Sequence, residues 1–319
     1  MQGALPRGTS RTADLGGPVH WVDYGGPAPD RDAGSAGETF VLVHGLGGSH
    51  LNWDLLAPHL TPHARVVALD LPGFGRSEPG DRRATVHENV AVLDRFLADV
   101  VGTPAVLVGN SMGGMISILE AAQAPERVRG LVLIDPAVPG PRRRIDPTIA
   151  GVFAVYALPG VGERFLWLRR HRQTPLKRAL GLLRLCGIDP ETLPTDVIDR
   201  SVEMIEQRED VDGMDRAFLT AARSLLVVLA DPRRYRAAMA ALRRPVLLLH
   251  GDLDRLIPVE AARDVAARHP AWRYVELAGI GHVPQLQDPQ RVAGEVLGWL
   301  PEVQSAPGVS VSRSASSPV

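Results

Sequence analysis

The sequence predicts an α/β fold, with a mostly parallel central sheet covered by helices on both faces and one inserted helical cap. Three observations carry this. Short, wholly apolar runs recur at Phe40-Val41-Leu42-Val43, Val66-Val67-Ala68-Leu69, Val106-Leu107-Val108, Leu131-Val132-Leu133-Ile134 and Val246-Leu247-Leu248-Leu249. A strand buried on both faces reads as such a run, because neither face can be polar. Stretches of helical periodicity alternate with the first four runs. The interval 136–244 then interrupts the alternation with arginine-rich, helix-patterned sequence too long for an ordinary crossover.

Taken in order, residues 1–17 read as a flexible terminus, 19–24 as a strand, and the Gly, Pro, Asp and Ala of 25–37 as a flexible loop. Residues 51–60 read as a helix. Residues 88–100 do too, because Val92, Leu93, Phe96 and Leu97 recur at helical spacing. After the run at 106–108, Met115, Ile116, Ile118, Leu119 and Ala122 mark a helix that Pro125 stops. Beyond the insert come a helix over 259–268 and a strand over 272–277. In the closing helix Asp288 is the cap, Pro289 the first residue, and Val292, Val296, Trp299 and Leu300 the buried stripe. The core is therefore expected over 18–135 and 245–301, the cap over 136–244, and flexible tails at 1–17 and 302–319.

Composition narrows the function classes. A formal net charge of −1 gives no global attraction to nucleic acid or an anionic membrane. The single cysteine, Cys186, excludes an internal disulfide and fits a reducing compartment. No apolar h-region opens the chain and no apolar run is long enough to span a bilayer, so the expectation is a soluble cytoplasmic protein. No P-loop and no G-x-G-x-x-G opens a helix, and no cofactor is expected.

The chemistry centres on Gly109-Asn110-Ser111-Met112-Gly113. A serine on a tight strand-to-helix turn sits in crowded backbone, so the residues two before and two after it must lack side chains. A capping serine would explain Ser111 alone, but not the flanking strand, glycines and helix. A serine hydroxyl needs a base, and the base needs a carboxylate to orient it. Later loops supply both: Gly251-Asp252-Leu253-Asp254, and Gly279-Ile280-Gly281-His282-Val283-Pro284.

Four motifs in order carry a resemblance: His44-Gly45-Leu46-Gly47-Gly48, Asp70-Leu71-Pro72-Gly73-Phe74-Gly75-Arg76-Ser77, the serine turn, and the Asp254 and His282 loops. Over residues 18–301 the chain resembles the α/β-hydrolase fold family, in its capped serine-hydrolase form. The resemblance implies Ser111 as nucleophile, His282 as base and Asp254 as acid. Asp135, where some members keep their acid, is the alternative, and Asp252 a weaker one. It also implies the backbone N–H groups of Leu46 and Met112 as oxyanion donors, and gives the Asp70–Ser77 stretch a structural role. His44 is expected to brace the oxyanion loop, Asn110 to belong to the site, and Trp53 to line the pocket or fill the core.

Serine in place of aspartate at the turn argues against the alkyl-enzyme chemistry of dehalogenases and epoxide hydrolases. The leading expectation is hydrolysis of a carboxylic ester bearing a largely apolar group. Carbon–carbon hydrolases of vinylogous diketones share Gly-Asn-Ser-Met-Gly-Gly, yet they carry Gly-Pro-Gly in the oxyanion loop and tryptophan where Val283 stands here. Lactone, thioester and perhydrolase chemistry use the same machinery. A receptor-like member with little turnover is the reading from another class. His59 and His63 have ligand spacing, but Pro62 breaks the helix and no third ligand is in view, so no metal is expected. The basic run 164–172 reads as a solvated cap helix; its alternatives are contact with a membrane surface, an anionic substrate or a carrier protein.

Overall fold

The computed structural model describes residues 8–28, 37–140 and 146–306. Eight strands form one sheet: β1 (Thr9–Asp14), β2 (Pro18–Gly25), β3 (Thr39–Val43), β4 (Arg65–Leu69), β5 (Ala105–Asn110), β6 (Val128–Ile134), β7 (Val246–Gly251) and β8 (Arg273–Leu277). Their spatial order is β1-β2-β4-β3-β5-β6-β7-β8. The β1–β2 and β2–β4 pairings are antiparallel, and every other pairing is parallel.

The apolar runs form the interior of this sheet. Because successive strand residues point to opposite faces, Phe40, Leu42, Val106, Val108, Val132 and Ile134 enter one core layer with Trp53 and Trp299. Val41, Val43, Leu107, Leu131 and Leu133 enter the other with Phe96, Met115 and Ile116. Helices α1 (Ala57–Leu60) and α12 (Pro289–Ser305) cover the first face, and α2 (Val86–Arg95), α3 (Met112–Gln123) and α10 (Val259–Arg268) the second. A reciprocal box starts α2: the Thr85 hydroxyl accepts from the Glu88 N–H at 3.2 Å, and the Glu88 carboxylate accepts from the Thr85 N–H at 3.0 Å. The closing helix starts as its sequence predicts, with the Asp288 carboxylate accepting from the Arg291 N–H.

Between β6 and β7 lie α4 (Pro147–Ala157), α5 (Val161–Arg172), α6 (Pro175–Leu185), α7 (Thr195–Gln207), α8 (Met214–Ala230) and α9 (Arg233–Ala241). The first five form the insert. The sixth does not: Tyr235 and Met239 of α9 sit in the sheet's own core against α3, making it the crossover helix into β7. Arginine-rich helical sequence runs unbroken from the insert into α9, so nothing in the pattern marks the return.

Three further expectations change. Residues 9–14 are not flexible but form β1, an edge strand whose polar TSRTAD sequence pairs with β2 through the backbone ladder and polar side chains such as Ser10, and so carries no apolar signal. The helix expected over 51–60 divides into a 3-10 turn, His50–Trp53, and the short α1, where Pro58 cannot supply the N–H a continuous helix would need. At the other end α12 continues past Pro301 to Ser305, held by Val303 at 1% exposure. The rest of the expected tail, and most of the 25–37 loop, fall outside the described residues.

Glu120 of α3 is buried, and its carboxylate oxygens have no hydrogen-bond donor among the described residues. Burial, and secondarily the nearby Asp94, push its pKa from 4.5 to about 8. The folded state therefore holds a proton that the unfolded chain loses, so this group withdraws stability as pH rises from about 4.5 to about 8. Glu120→Gln removes the titration. Its melting temperature is expected to exceed the parent's by about 2–4 °C near pH 9 and to match it near pH 5. Parallel melting curves across that range by circular dichroism check this, and equal melting temperatures near pH 9 would overturn it.

Candidate active site

The serine turn joins β5 to α3, and Ser111 holds φ 54° and ψ −119°. That conformation brings the turn against its neighbours. A Cβ on Gly113 would lie 2.0 Å from the Val43 carbonyl oxygen, and one on Gly109 would lie 2.5 Å from that of Gly113. The two glycines are thus steric requirements. On Gly45, across the site, a Cβ would lie 2.9 Å from the Ser111 Cβ, so the 44–48 loop must also be bare where it faces the serine.

His282, on the loop after β8, lines the same cleft as Ser111, and Asp254, on the loop after β7, pairs with it. The His282 Nδ1 lies 2.7 Å from Asp254 Oδ2, and the other carboxylate oxygen accepts from the Leu256 and Ile257 N–H groups at 2.8 and 3.0 Å. Burial works against the Asp254 charge, but the opposing His282 and these donors outweigh it and hold the carboxyl below the usual range. Backbone bonds fix the histidine loop from two sides. The Asn110 side-chain amide donates to the His282 carbonyl at 3.1 Å, and the His282 N–H donates to the Cys186 carbonyl at 2.9 Å. The second bond comes from the insert, a contribution no sequence motif announces. The Cys186 thiol is buried, with its pKa raised to about 12, which keeps it in the protonated, unreactive form.

Asp135 reaches the same cluster without taking the histidine. It sits at the end of β6 with φ 43°, accepts from the Gly251 N–H at 2.8 Å, and is raised well above the carboxylate range by burial and then by Asp254. Two adjoining buried carboxyls cannot both ionise, so the proton resides on Asp135 and the charge on Asp254. His250, 3.5 Å from each, donates Nε2–H to the Ile257 carbonyl and is kept neutral by burial. Asp252 points elsewhere, accepting from the Gly279 N–H.

The Leu46 and Met112 N–H groups flank the serine, the first in the glycine loop and the second at the start of α3; neither has a hydrogen-bond partner among the described residues. His44 locks the loop. Its Nε2 accepts from the Leu71 N–H at 3.0 Å, which fixes Nδ1–H as donor to the Gly45 carbonyl at 2.8 Å. Burial lowers its pKa to about 4 and keeps the ring neutral. The Asp70–Ser77 stretch closes on Asp70, which accepts from His20, from both the ring and backbone of His50, and from the Arg76 N–H. These histidines outweigh the burial penalty and hold Asp70 far below its usual pKa.

Above Ser111 opens a cleft of about 260 Å³. The core lines it with the 45–48 loop, Asn52, Asn110, Ser111 and His282, and the insert contributes Val152, Phe153, Tyr156, Leu182 and Phe218 among others. Trp53 is not in it; fully buried, it fills the core under the sheet. His59 and His63 are exposed. The run 164–172 departs from a solvated helix at two positions: Arg164 and Arg172 face outward, whereas Arg169 and Arg170 line the cleft with Arg178 and Arg208. The spacing of that run showed its basic character but not which arginines turn inward.

The family model described as the alpha/beta hydrolase fold matches residues 38–289, and the chain belongs to that family. It is similar to a 2-hydroxymuconate semialdehyde hydrolase of Pseudomonas sp. (strain CF600), with 31% identity over 86% of this chain and 91% of the relative. It is also similar to a pimeloyl-[acyl-carrier protein] methyl ester esterase of Vibrio campbellii, at 28% identity over 83% of this chain and 92% of the relative. Among solved structures, Cfl2 from Burkholderia cenocepacia superposes with a TM-score of 0.76 at 25% identity, covering 93% of this chain and 97% of the other.

The arrangement of charge separates the two candidate acids. Asp254→Asn is expected to lower kcat/KM by about 10³–10⁴, because the histidine loses its anionic partner and its tautomer. Asp135→Asn keeps a neutral donor of the same shape and should cost less than about tenfold. The reverse ranking in steady-state kinetics would make Asp135 the acid.

Proposed function

We propose that this member of the α/β-hydrolase fold family is a serine hydrolase that cleaves a carboxylic ester through an acyl-enzyme. The observation that carries the reading is that Ser111, on its glycine-flanked turn, shares a mostly apolar cleft with His282, whose Nδ1 lies 2.7 Å from the Asp254 carboxylate.

The chemistry follows from the donors available. The Ser111 hydroxyl attacks the ester carbonyl as its proton passes to His282 Nε2, while Asp254 holds the Nδ1–H and offsets the charge formed on the ring. The carbonyl oxygen becomes anionic and takes the Leu46 and Met112 N–H groups, which no other acceptor occupies. Helix α3 points its positive end at the same place. Collapse breaks the bond to the alcohol oxygen, which leaves with the proton from His282. Water then enters, loses its proton to His282 and attacks the acyl-enzyme, so that the acid departs and Ser111 is restored.

A second reading is carbon–carbon hydrolysis, favoured by the 31% identity to a 2-hydroxymuconate semialdehyde hydrolase and by the shared turn sequence. Against it stand Val283 and the absence of Gly-Pro-Gly in the oxyanion loop. The chain-length series of p-nitrophenyl esters from acetate to dodecanoate tests the first reading. Turnover is expected with a clear optimum, and Ser111→Ala should lower it by about 10⁴-fold or more. A phosphonate probe is expected to label Ser111 stoichiometrically. Labelling without ester turnover would displace the esterase reading in favour of carbon–carbon hydrolysis; neither labelling nor turnover would favour a binding protein.

A further inference from the structure

We propose that the substrate of this site carries a carboxylate, held by the arginines of the insert while a hydrocarbon segment occupies the rest of the cleft. The inference rests on the serine-hydrolase reading and specifies its substrate class.

Four guanidinium groups line the cleft, and all come from the insert: Arg169 and Arg170 from α5, Arg178 from α6, and Arg208 at the end of α7. One acidic side chain, Asp215, lines it with them among the described residues. Two of the arginines have counter-ions. Arg178 pairs with Glu209, and Arg170 lies 4.0 Å from Asp215. The other two make no direct ion pair among the described residues, although Asp70 and Asp215 act on Arg208 at longer range. Arg169 donates to the Arg178 carbonyl at 3.3 Å and to the Tyr156 hydroxyl, and Arg208 donates to the Gly73 carbonyl at 3.1 Å. The Nε–H groups of Arg178 and Arg208 are buried with no acceptor.

A cation withdrawn from water into an apolar wall costs free energy unless an anion or a set of acceptors compensates it. Here the wall around the cations is built from Leu166, Leu182, Leu183 and Ile205, which offer no acceptor. The planar fork of a guanidinium matches a carboxylate through two parallel N–H···O bonds, and the unused Nε–H is one arm of that fork. Arg169 and Arg208, which line the cleft without a direct ion pair, are therefore the groups that would hold a ligand carboxylate. Since the remaining lining is aliphatic and aromatic, the segment joining the anion to the scissile carbonyl is hydrocarbon.

The test compares p-nitrophenyl hexanoate with the p-nitrophenyl monoester of adipic acid, which has the same chain length and adds a terminal carboxylate. Esters of hexanoic acid with a hydroxycarboxylic acid place the carboxylate on the alcohol side, so the two arms report which half of the substrate meets the arginines. The intact enzyme is expected to prefer one carboxylate-bearing ester by at least about tenfold in kcat/KM, with the preference residing in KM and fading with added salt. In Arg208→Gln and Arg169→Gln the ratio of charged to neutral ester should fall toward one, and Arg208→Lys should recover part of it. Free adipate should inhibit competitively, and more weakly in the variants. Equal or better use of the neutral ester by the intact enzyme, or a ratio unmoved in both Gln variants that still label at Ser111, would overturn the proposal. Failure of the underlying hydrolase reading looks different: the intact enzyme would hydrolyse neither ester.

Discussion

The structure turns on one strained residue. Ser111 is a non-glycine residue at positive φ, a conformation that costs roughly 1–3 kcal/mol and persists only where its surroundings over-determine it. They do so through its own backbone. The Ser111 N–H donates to the Ile134 carbonyl at 3.1 Å, and its carbonyl accepts from Ala137 at 2.9 Å and Met115 at 3.2 Å. Those partners lie at the end of β6, beyond it, and in the first turn of α3. The turn therefore exists only when the β5–β6 register is correct and α3 has docked, which requires Gly109 and Gly113 to be bare. Placing the serine is in this sense a property of the whole parallel sheet.

His282 is positioned differently. It lies on a loop, and loops need external anchors to be precise. One anchor is the Asn110 amide, which also donates to the Ile134 carbonyl at 3.0 Å and so couples the histidine to the β5–β6 junction that holds the serine. The other is the Cys186 carbonyl at the end of α6. Around it Cys186, Ile188, Leu193 and Val197 pack against Val283 and Leu286, forming a small apolar cluster where insert meets core. The insert thus supports the His282 loop as well as lining the cleft, and a substitution in α6 that shifts Cys186 acts on His282.

Much of this was legible in the sequence, for a physical reason in each case. Apolar runs betray strands buried on both faces, and glycines two residues either side of Ser111 betray a backbone collision that only they avoid. The chain order of Ser111, Asp254 and His282 placed the three on neighbouring loops because parallel strands present all their carboxyl ends on one side. Other features left no such mark. Strand β1 is solvated on its outer edge and pairs through backbone, so its polar residues look like a tail. Which carboxyl is charged depends on burial and on a proton shared between Asp135 and Asp254, quantities that do not exist before folding. The direction taken by Arg169 and Arg170 depends on how α5 is rotated against α6 and α8, and a helix polar on several sides does not encode that rotation in its spacing.

The two halves of the molecule therefore differ in what their polarity does. In the core, buried charge is compensated internally: Asp70 has its histidines, Asp254 has His282 and two backbone donors, and Asp135 holds a proton. The charge state of these three groups is set by the fold itself, whereas Glu120 of the same core keeps both carboxylate oxygens buried without a partner among the described residues. In the insert the compensation stops short. Asp54 pairs with Arg200, and Glu209 with Arg178, tying α7 to the core and to α6. Arg169 and Arg208 make no ion pair among the described residues; Arg208 feels Asp70 and Asp215 at longer range, and its direct partner is a backbone carbonyl. On the proposed reading, the core would supply the chemistry and the insert the selectivity.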